Sequence, residues 1–426
     1  MRDFQRHLSN AFYALISLPS TAMGFALSIQ ISALSWLLTT QYNLDIHQVG
    51  IVWAAGPLAG IVGQVVIGLI SDRVWFWGGR RRPFILIGGL LAALMLFALP
   101  NISAIDRTLG LGNILLVAIT IALTLDLAIN ISFNPTRSVI ADVTPGGVAR
   151  TKGYTWMQTI SGFFGVLAYV IGAAAGNIVL IYVGVATVFL FSIVPILFVT
   201  EPRTLGTAQS AGQTQEEGSS ATQWGQLLRI YGAHAFSWIG VQTMFVYIIA
   251  FIQQKMTFTE DAALHTGQVI SISFAILNTV GFLLPAPILE PLAKRFGRVR
   301  VHLTAVAIMA AGYFGVMAAG ATPLVLYVLM AVLGIGWASI VSLPFAIMTE
   351  KVDRSRMGFF MGIFNLSVVL PQLFVSLVLG KVILDAPDKS VIFLISGVTL
   401  AASALGWLLV RDSGKGGTAQ PPGGGH

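Results

Sequence analysis

The sequence predicts an all-α membrane protein: twelve transmembrane helices in two six-helix halves related by a pseudo-two-fold axis. Three observations carry that prediction. Of the 426 residues, 56% are hydrophobic and only 10% charged, where soluble domains carry about a quarter charged. The apolar residues fall in twelve runs, at about 12–38, 49–70, 83–100, 113–136, 155–176, 178–199, 230–252, 267–289, 301–319, 322–345, 358–380 and 390–410. Each is near the roughly 20 residues that cross a roughly 30 Å hydrocarbon layer, and runs this long and continuous are helices, because lipid admits only helices and closed barrels. Between the sixth and seventh runs, TAQSAGQTQEEGSSATQ (207–223) is polar, without an apolar period, and reads as a flexible linker. The expected division is a first half at 1–199, a linker at 200–224, a second half at 225–411 and a disordered tail at 412–426.

The opening MRDFQRHLSN is short and polar, and the first run continues to Leu38 without a small-residue cleavage site, so it reads as a membrane helix and not a signal peptide. Gln30 lies inside it. The second run carries Trp53 and Gln64 and ends at Asp72 and Arg73, just before Arg80, Arg81 and Arg82. An acid at a helix end among four arginines is more than topology requires, although Trp75 and Trp77 also suit an ordinary membrane interface.

The fourth run, TLDLAINISFNPTRSVIAD (124–142), places Asp126 among apolar residues and roughly 20 Å in from Asn113, near the bilayer centre. A carboxylate at that depth faces protein or a wet cavity and is a functional candidate by default. Asn130 and Arg137 fall within roughly 40° of it on a helical wheel, giving one polar stripe, and Pro135 allows a bend just before the arginine. A structural pairing of Asp126 and Arg137 that pins helices together is the competing reading.

Sorting Lys and Arg by loop puts 20 on the side of the N-terminus and four opposite (Arg107, Lys255, Lys381, Lys389), so both termini are expected in the cytoplasm. The net charge of +7 follows from these inner loops and speaks of topology, not of nucleic acid. VARTKGY (148–154) after the fourth run is echoed by VDRSRMGF (352–359) after the tenth. Such duplication marks transporter halves, with the substrate site between them near the midplane. There are no cysteines, which rules out disulfides and thiolate metal sites.

Of the 17 acids, all but Asp126 fall in loops, tails or helix ends, so Asp126 alone is placed to couple a mid-membrane proton; His234, at the start of the seventh run, is a secondary candidate. Amides inside apolar helices, namely Asn130, Gln30, Gln64, Gln158, Gln242, Asn278, Asn365 and Gln372, serve either as helix-packing contacts or as ligand contacts. Trp53, Trp156, Trp238 and Trp337 are candidate flat surfaces for a ligand. No nucleophile elbow, phosphate-cradling loop or metal-ligand spacing is present, so no enzyme, cofactor or metal is expected.

IVWAAGPLAGIVGQVVIGLISDR (51–73) with GRRRPFI (79–85), the fourth-run residues Asp126, Ala128, Asn130, Pro135, Arg137 and Asp142, and GIGWASIVSLPFA (334–346) with MGIFNLSVVLPQLFVS (361–376) resemble the proton-coupled sucrose symporters of plants and their bacterial and animal relatives. These belong to the major facilitator superfamily, in the glycoside-pentoside-hexuronide:cation symporter group. The resemblance implies that fold, import of a sugar such as sucrose or maltose by alternating access, and protons as the coupling ion. It implies Asp126 as proton site and sugar contact with Arg137 as essential partner, and a cytoplasmic charge latch from Asp72, Arg73, Arg80, Arg81, Arg82 and Asp142. Asn130, Asn365, Gln64, Gln372, Gln30 and Trp53 complete the expected sugar site. The chain departs from that family at Ile129, where a second asparagine is usual, at the displaced amide of Gln30, and in FIQQKMTF (251–258), where the plant proteins carry acids. Lys294 replaces the acid of the loop after the eighth run, so the latch is expected to be asymmetric. The expected protein is a monomer of the plasma or bacterial inner membrane, binding sugar and protons within the bilayer. The alternative is a proton-driven exporter of amphipathic small molecules on the same fold.

Overall fold

Caps set where the helices begin. Ser9 accepts the Phe12 N–H at 3.2 Å to start α1 (Asn10–Thr40). Asp45 and Gln48 form a reciprocal capping box that starts α2 (Ile46–Trp53), satisfying N–H groups that lack intrahelical partners. Asn113 does the same for α4 and Asp261 for α8. The remaining helices are α3 (Arg82–Leu109), α4 (Ile114–Val143), α5 (Val148–Ala175), α6 (Asn177–Phe198), α7 (Trp224–Lys255), α8 (Ala262–Leu283), α9 (Arg298–Ala319), α10 (Pro323–Thr349), α11 (Gly362–Asp385) and α12 (Val391–Trp407).

The computed structural model describes residues 8–60, 70, 74–145, 148–201, 222–352 and 357–412. Among them ten helices are long and apolar enough to cross a bilayer. The other two expected spans are α12, which is apolar and 17 residues long, and the run at 49–70, only part of which is described. Most of the expected linker and nearly all of the expected tail lie outside the described residues. Helix α4 runs without interruption through Pro135.

The packing repeats with a shift of six helices. In the first half α1 packs on α5 and α6, and α3 on α4 and α6; in the second, α7 packs on α11 and α12, and α9 on α10 and α12. Between the halves α5 faces α8, and α2 faces the end of α11. Small residues allow close approach, as expected where lipid gives no hydrophobic drive to helix association. A Cβ on Gly88 would sit 2.6 Å from the Ala128 carbonyl, so α3 and α4 can touch only because the residue is glycine.

Among the described residues three π-helical turns occur: Gln30–Leu34 within α1, Pro285–Leu289 after α8 and Val375–Leu379 within α11. Such turns are rare and favour functional sites.

Candidate functional site

Between the halves lies a cavity of about 390 Å³, within the size range of small-molecule sites. The first half contributes Gln30 from α1, Trp53 from α2, and Asp126, Asn130 and Phe133 from α4; the second contributes Trp238, Gln242 and Phe245 from α7, Trp337 from α10, and Asn365 and Gln372 from α11. Nine residues singled out from the sequence therefore line one cavity: Asp126, Asn130, Gln30, Gln242, Asn365, Gln372, Trp53, Trp238 and Trp337. Gln64, Asp72 and Arg73 lie outside the described residues. Gln158 is exposed on α5 and away from the cavity.

Asp126 is 9% exposed. Its Oδ1 accepts from Gln30 Nε2 at 3.1 Å, and no cation pairs with it among the described residues. A Cβ on Gly56 would come within 3.3 Å of Oδ2, so the glycine on the α2 side leaves the carboxylate its room. Asn130 turns its amide back to the Asp126 carbonyl at 2.8 Å. Across the cavity Gln372 Nε2 donates to Gln242 Oε1 at 3.3 Å. The rings are fixed by polar contacts behind them. Trp53 Nε1 donates to Ser35 Oγ at 2.8 Å, Trp337 Nε1 to Asn278 Oδ1 at 3.3 Å and Trp238 Nε1 to His234 Nε2 at 3.0 Å. His234 is thus a buried support behind Trp238, stacked on Phe364 at 4.8 Å, and does not line the cavity.

Arg137 is placed apart from Asp126, roughly 16 Å along the axis. Its guanidinium lies 4.1 Å over the Phe133 ring, and among the described residues it makes no ion pair. The stripe read from the sequence is a ladder of Asp126, Asn130, Phe133 and Arg137, and the cavity stops at the phenylalanine.

The halves are fastened at one end. Ser32 and Ser271 hydroxyls lie 2.7 Å apart, Ser271 also donates to Asn177 Oδ1 at 3.1 Å, Trp36 Nε1 donates to the Ala263 carbonyl at 2.6 Å, and Ser35 donates to the Val246 carbonyl at 2.9 Å. At the opposite end the ion pairs among the described residues stay within one half. Arg81 Nε meets Asp142 Oδ2 at 3.1 Å with both side chains nearly buried, and Arg298 pairs with Glu350.

Glu201, which the sequence reading passed over, accepts the backbone N–H groups of Arg80, Arg81 and Arg82 at 2.7–2.9 Å. It caps α3 at the positive end of its dipole. The arginines of the loop are therefore held partly through their main chain, and Arg82 directs its guanidinium to the Gly78 and Ile196 carbonyls. In the second half, where Lys294 led to the expectation of an asymmetric latch, the acids at this end are Glu350, at the end of α10, and Asp412, which accepts the Val299 N–H at 3.2 Å.

Two six-helix halves around an amide-lined cavity with one buried carboxylate define a secondary transporter. Residues 17–375 match the Major Facilitator Superfamily, with a second match over 264–425, and the chain belongs to that superfamily. It is 25% identical over 392 residues to the sucrose transport protein SUT2 of Oryza sativa subsp. indica, covering 77% of this chain and 78% of that protein. Against the general alpha-glucoside permease of Schizosaccharomyces pombe it is 31% identical over 174 residues, which is 37% of this chain but only 31% of the permease. The crystal structure of the nucleoside transporter NupG superposes with a TM-score of 0.71 at 13% identity, covering 94% of this chain and 98% of that one; at that identity the likeness is one of fold. Among the described residues no group of three metal-ligating side chains occurs.

Proposed function

We propose that the protein is a proton-coupled symporter importing a sugar, a disaccharide such as sucrose or maltose, by alternating access. The observation that carries this is Asp126, buried in a cavity that both halves line and held by the Gln30 amide with no cation paired to it among the described residues. An unpaired charge there is costly, and a proton is the neutralising partner the site can take from solution. The names of the relatives support a glycoside as cargo. Protonated Asp126 donates a hydrogen bond to a sugar hydroxyl. Amides of Gln30, Asn130, Gln242, Asn365 and Gln372 match further hydroxyls, while Trp53, Trp238 and Trp337 offer flat faces to the CH surfaces of the ring. Deprotonation toward the cytoplasm withdraws the donor and releases the sugar.

With both termini cytoplasmic and the linker at 200–224 on that side, the Ser32–Ser271 end is external and this conformation opens inward. Arg81 with Asp142, Arg80 and Arg82 with Glu201, and Asp72 with Arg73 then form the cytoplasmic gate of a monomer in a plasma or bacterial inner membrane, and Arg137 anchors the inner wall through Phe133. The largely apolar walls also suit a proton-driven exporter of amphipathic compounds. Proteoliposomes loaded at neutral pH and diluted into acidic buffer with labelled sucrose or maltose separate the two. Symport predicts accumulation above the outside concentration that a protonophore abolishes. No accumulation of either sugar, with proton-driven movement of an amphipathic dye in the opposite direction, overturns the proposal in favour of export.

A further inference from the structure

A second cavity, of about 550 Å³, lies at the corner between α8 and α9. Its walls include Ile288, Leu292, Phe296, Ile308 and Ile335, and Arg300 is its one charged residue. Ile288, Leu292, Phe296 and Ile308 are all more than a third exposed, which places the trough on the outer face of the bundle. The chain builds this corner deliberately. Pro285 and Pro287 contribute no N–H to the π-helical turn Pro285–Leu289, the short helix Glu290–Phe296 follows, and Gly297 at a φ of 93° turns the chain into α9.

Charge at the mouth is unbalanced. Lys294 pairs with Glu290 at 2.6 Å, Arg298 pairs with Glu350, and Asp412 takes the Val299 N–H. Arg295 lies over the Phe296 ring at 5.1 Å. Arg300 has no ion pair among the described residues, and it borders both the trough and the polar hollow beside it. The same end of the bundle carries Arg80–Arg82, the end at which positive charge meets anionic headgroups.

An apolar trough facing the acyl region, ending at an uncompensated guanidinium at headgroup level, complements one class of molecule. We propose that the α8–α9 corner binds an anionic phospholipid, with an acyl chain along Ile288, Leu292 and Ile308 and the phosphate on Arg300. The planar fork of arginine holds two phosphate oxygens at once. A sugar would find only Arg300 and Thr304 as polar side chains there, the Thr304 hydroxyl already donating to the Arg300 carbonyl, and a zwitterionic lipid would bring its own cation against Arg300.

The test uses the full chain, stripped of lipid in detergent and titrated with phosphatidylglycerol or with phosphatidylcholine of the same acyl chains; thermal midpoint and retained phosphorus are read. A ligand that binds only the folded state raises its midpoint. The expected result is a larger rise with phosphatidylglycerol, lost in Arg300→Gln and kept in Arg300→Lys with weaker retention. Ile308→Trp, which narrows the trough and leaves the charge, should lower retention of phosphatidylglycerol as well. Equal responses to the two lipids, an Arg300→Gln protein that responds like wild type, or the same rise with inorganic phosphate alone would each overturn the proposal.

Discussion

The two halves share a packing plan and differ in where they place charge. Sixteen residues before the acid that ends α4 stands Asp126; sixteen before the acid that ends α10 stands Gly334, where a Cβ would lie 2.6 Å from the Val280 side chain. The first half brings a carboxylate to the cavity, while the second brings Trp238, Phe245 and Trp337, whose rings meet at 5.2–6.0 Å between centroids. The same division holds at the charged end. Arg81–Asp142 is 9% and 12% exposed, whereas Arg298–Glu350 is 45% and 32% exposed. Glu201 takes three main-chain N–H groups and Asp412 one. The packing plan is common to both halves, while the cavity carboxylate and the more deeply buried ion pair lie in the first.

The strongest way to break this comparison is Asp126→Asn, which keeps shape and removes the titratable group. Accumulation driven by a proton gradient should be lost entirely, while exchange of labelled for unlabelled sugar in proteoliposomes persists. Accumulation by this variant would move coupling elsewhere, with His234 the first place to look. Next in size, Arg81→Gln strands Asp142 in a nearly buried site and should cost about 3 kcal/mol; Arg298→Gln, at an exposed pair, should cost under about 1 kcal/mol. Unfolding in mixed micelles with increasing dodecyl sulfate measures both, and equal losses would erase the asymmetry. Glu201→Ala should cost about 1–2 kcal/mol through the lost cap of α3, and Asp412→Ala about 0.5 kcal/mol, by the same measurement.

The smallest effect concerns the loop between α11 and α12. The Asp388 carboxyl is pushed down to about 2, first by the Ser390 backbone N–H and then by the Lys255 ammonium. A lowered folded-state value means that its contribution to stability is complete above about pH 4 and disappears as pH falls through about 2. Wild type and Asp388→Asn should differ slightly in thermal midpoint at neutral pH and converge near pH 2; a constant difference would remove the ionised carboxylate from the account.

Asp126 was legible because a charge inside an apolar run has no bland surroundings, and the amides were legible for the same reason. Helix positions followed from the length of the runs. The wheel and the helix rise together place Arg137 on the Asp126 face but roughly 16 Å along the axis from it, and it is the Phe133 ring under its guanidinium that lines the cavity. Glu201 and Asp412 left no local signal, since each lies past the end of an apolar run and finds its partner more than a hundred residues away. The loop after α8 shows only that Lys294 stands where an acid would fall; the acids of that end arrive from α10 and from beyond α12, which no local reading of the loop contains. Gln30 was recognised as an amide in a helix, yet its aim at Asp126 depends on a widened turn that a strict 3.6-residue period does not contain.

That turn, Gln30–Leu34, resembles a dislocation in a crystal: one residue more than the lattice holds, with regular helix on either side. It lets Gln30 point at the carboxylate while Ser32, two residues on, points at Ser271 across the gap. The grip on Asp126 and the fastening of the two halves therefore both hang on this one irregular turn of α1.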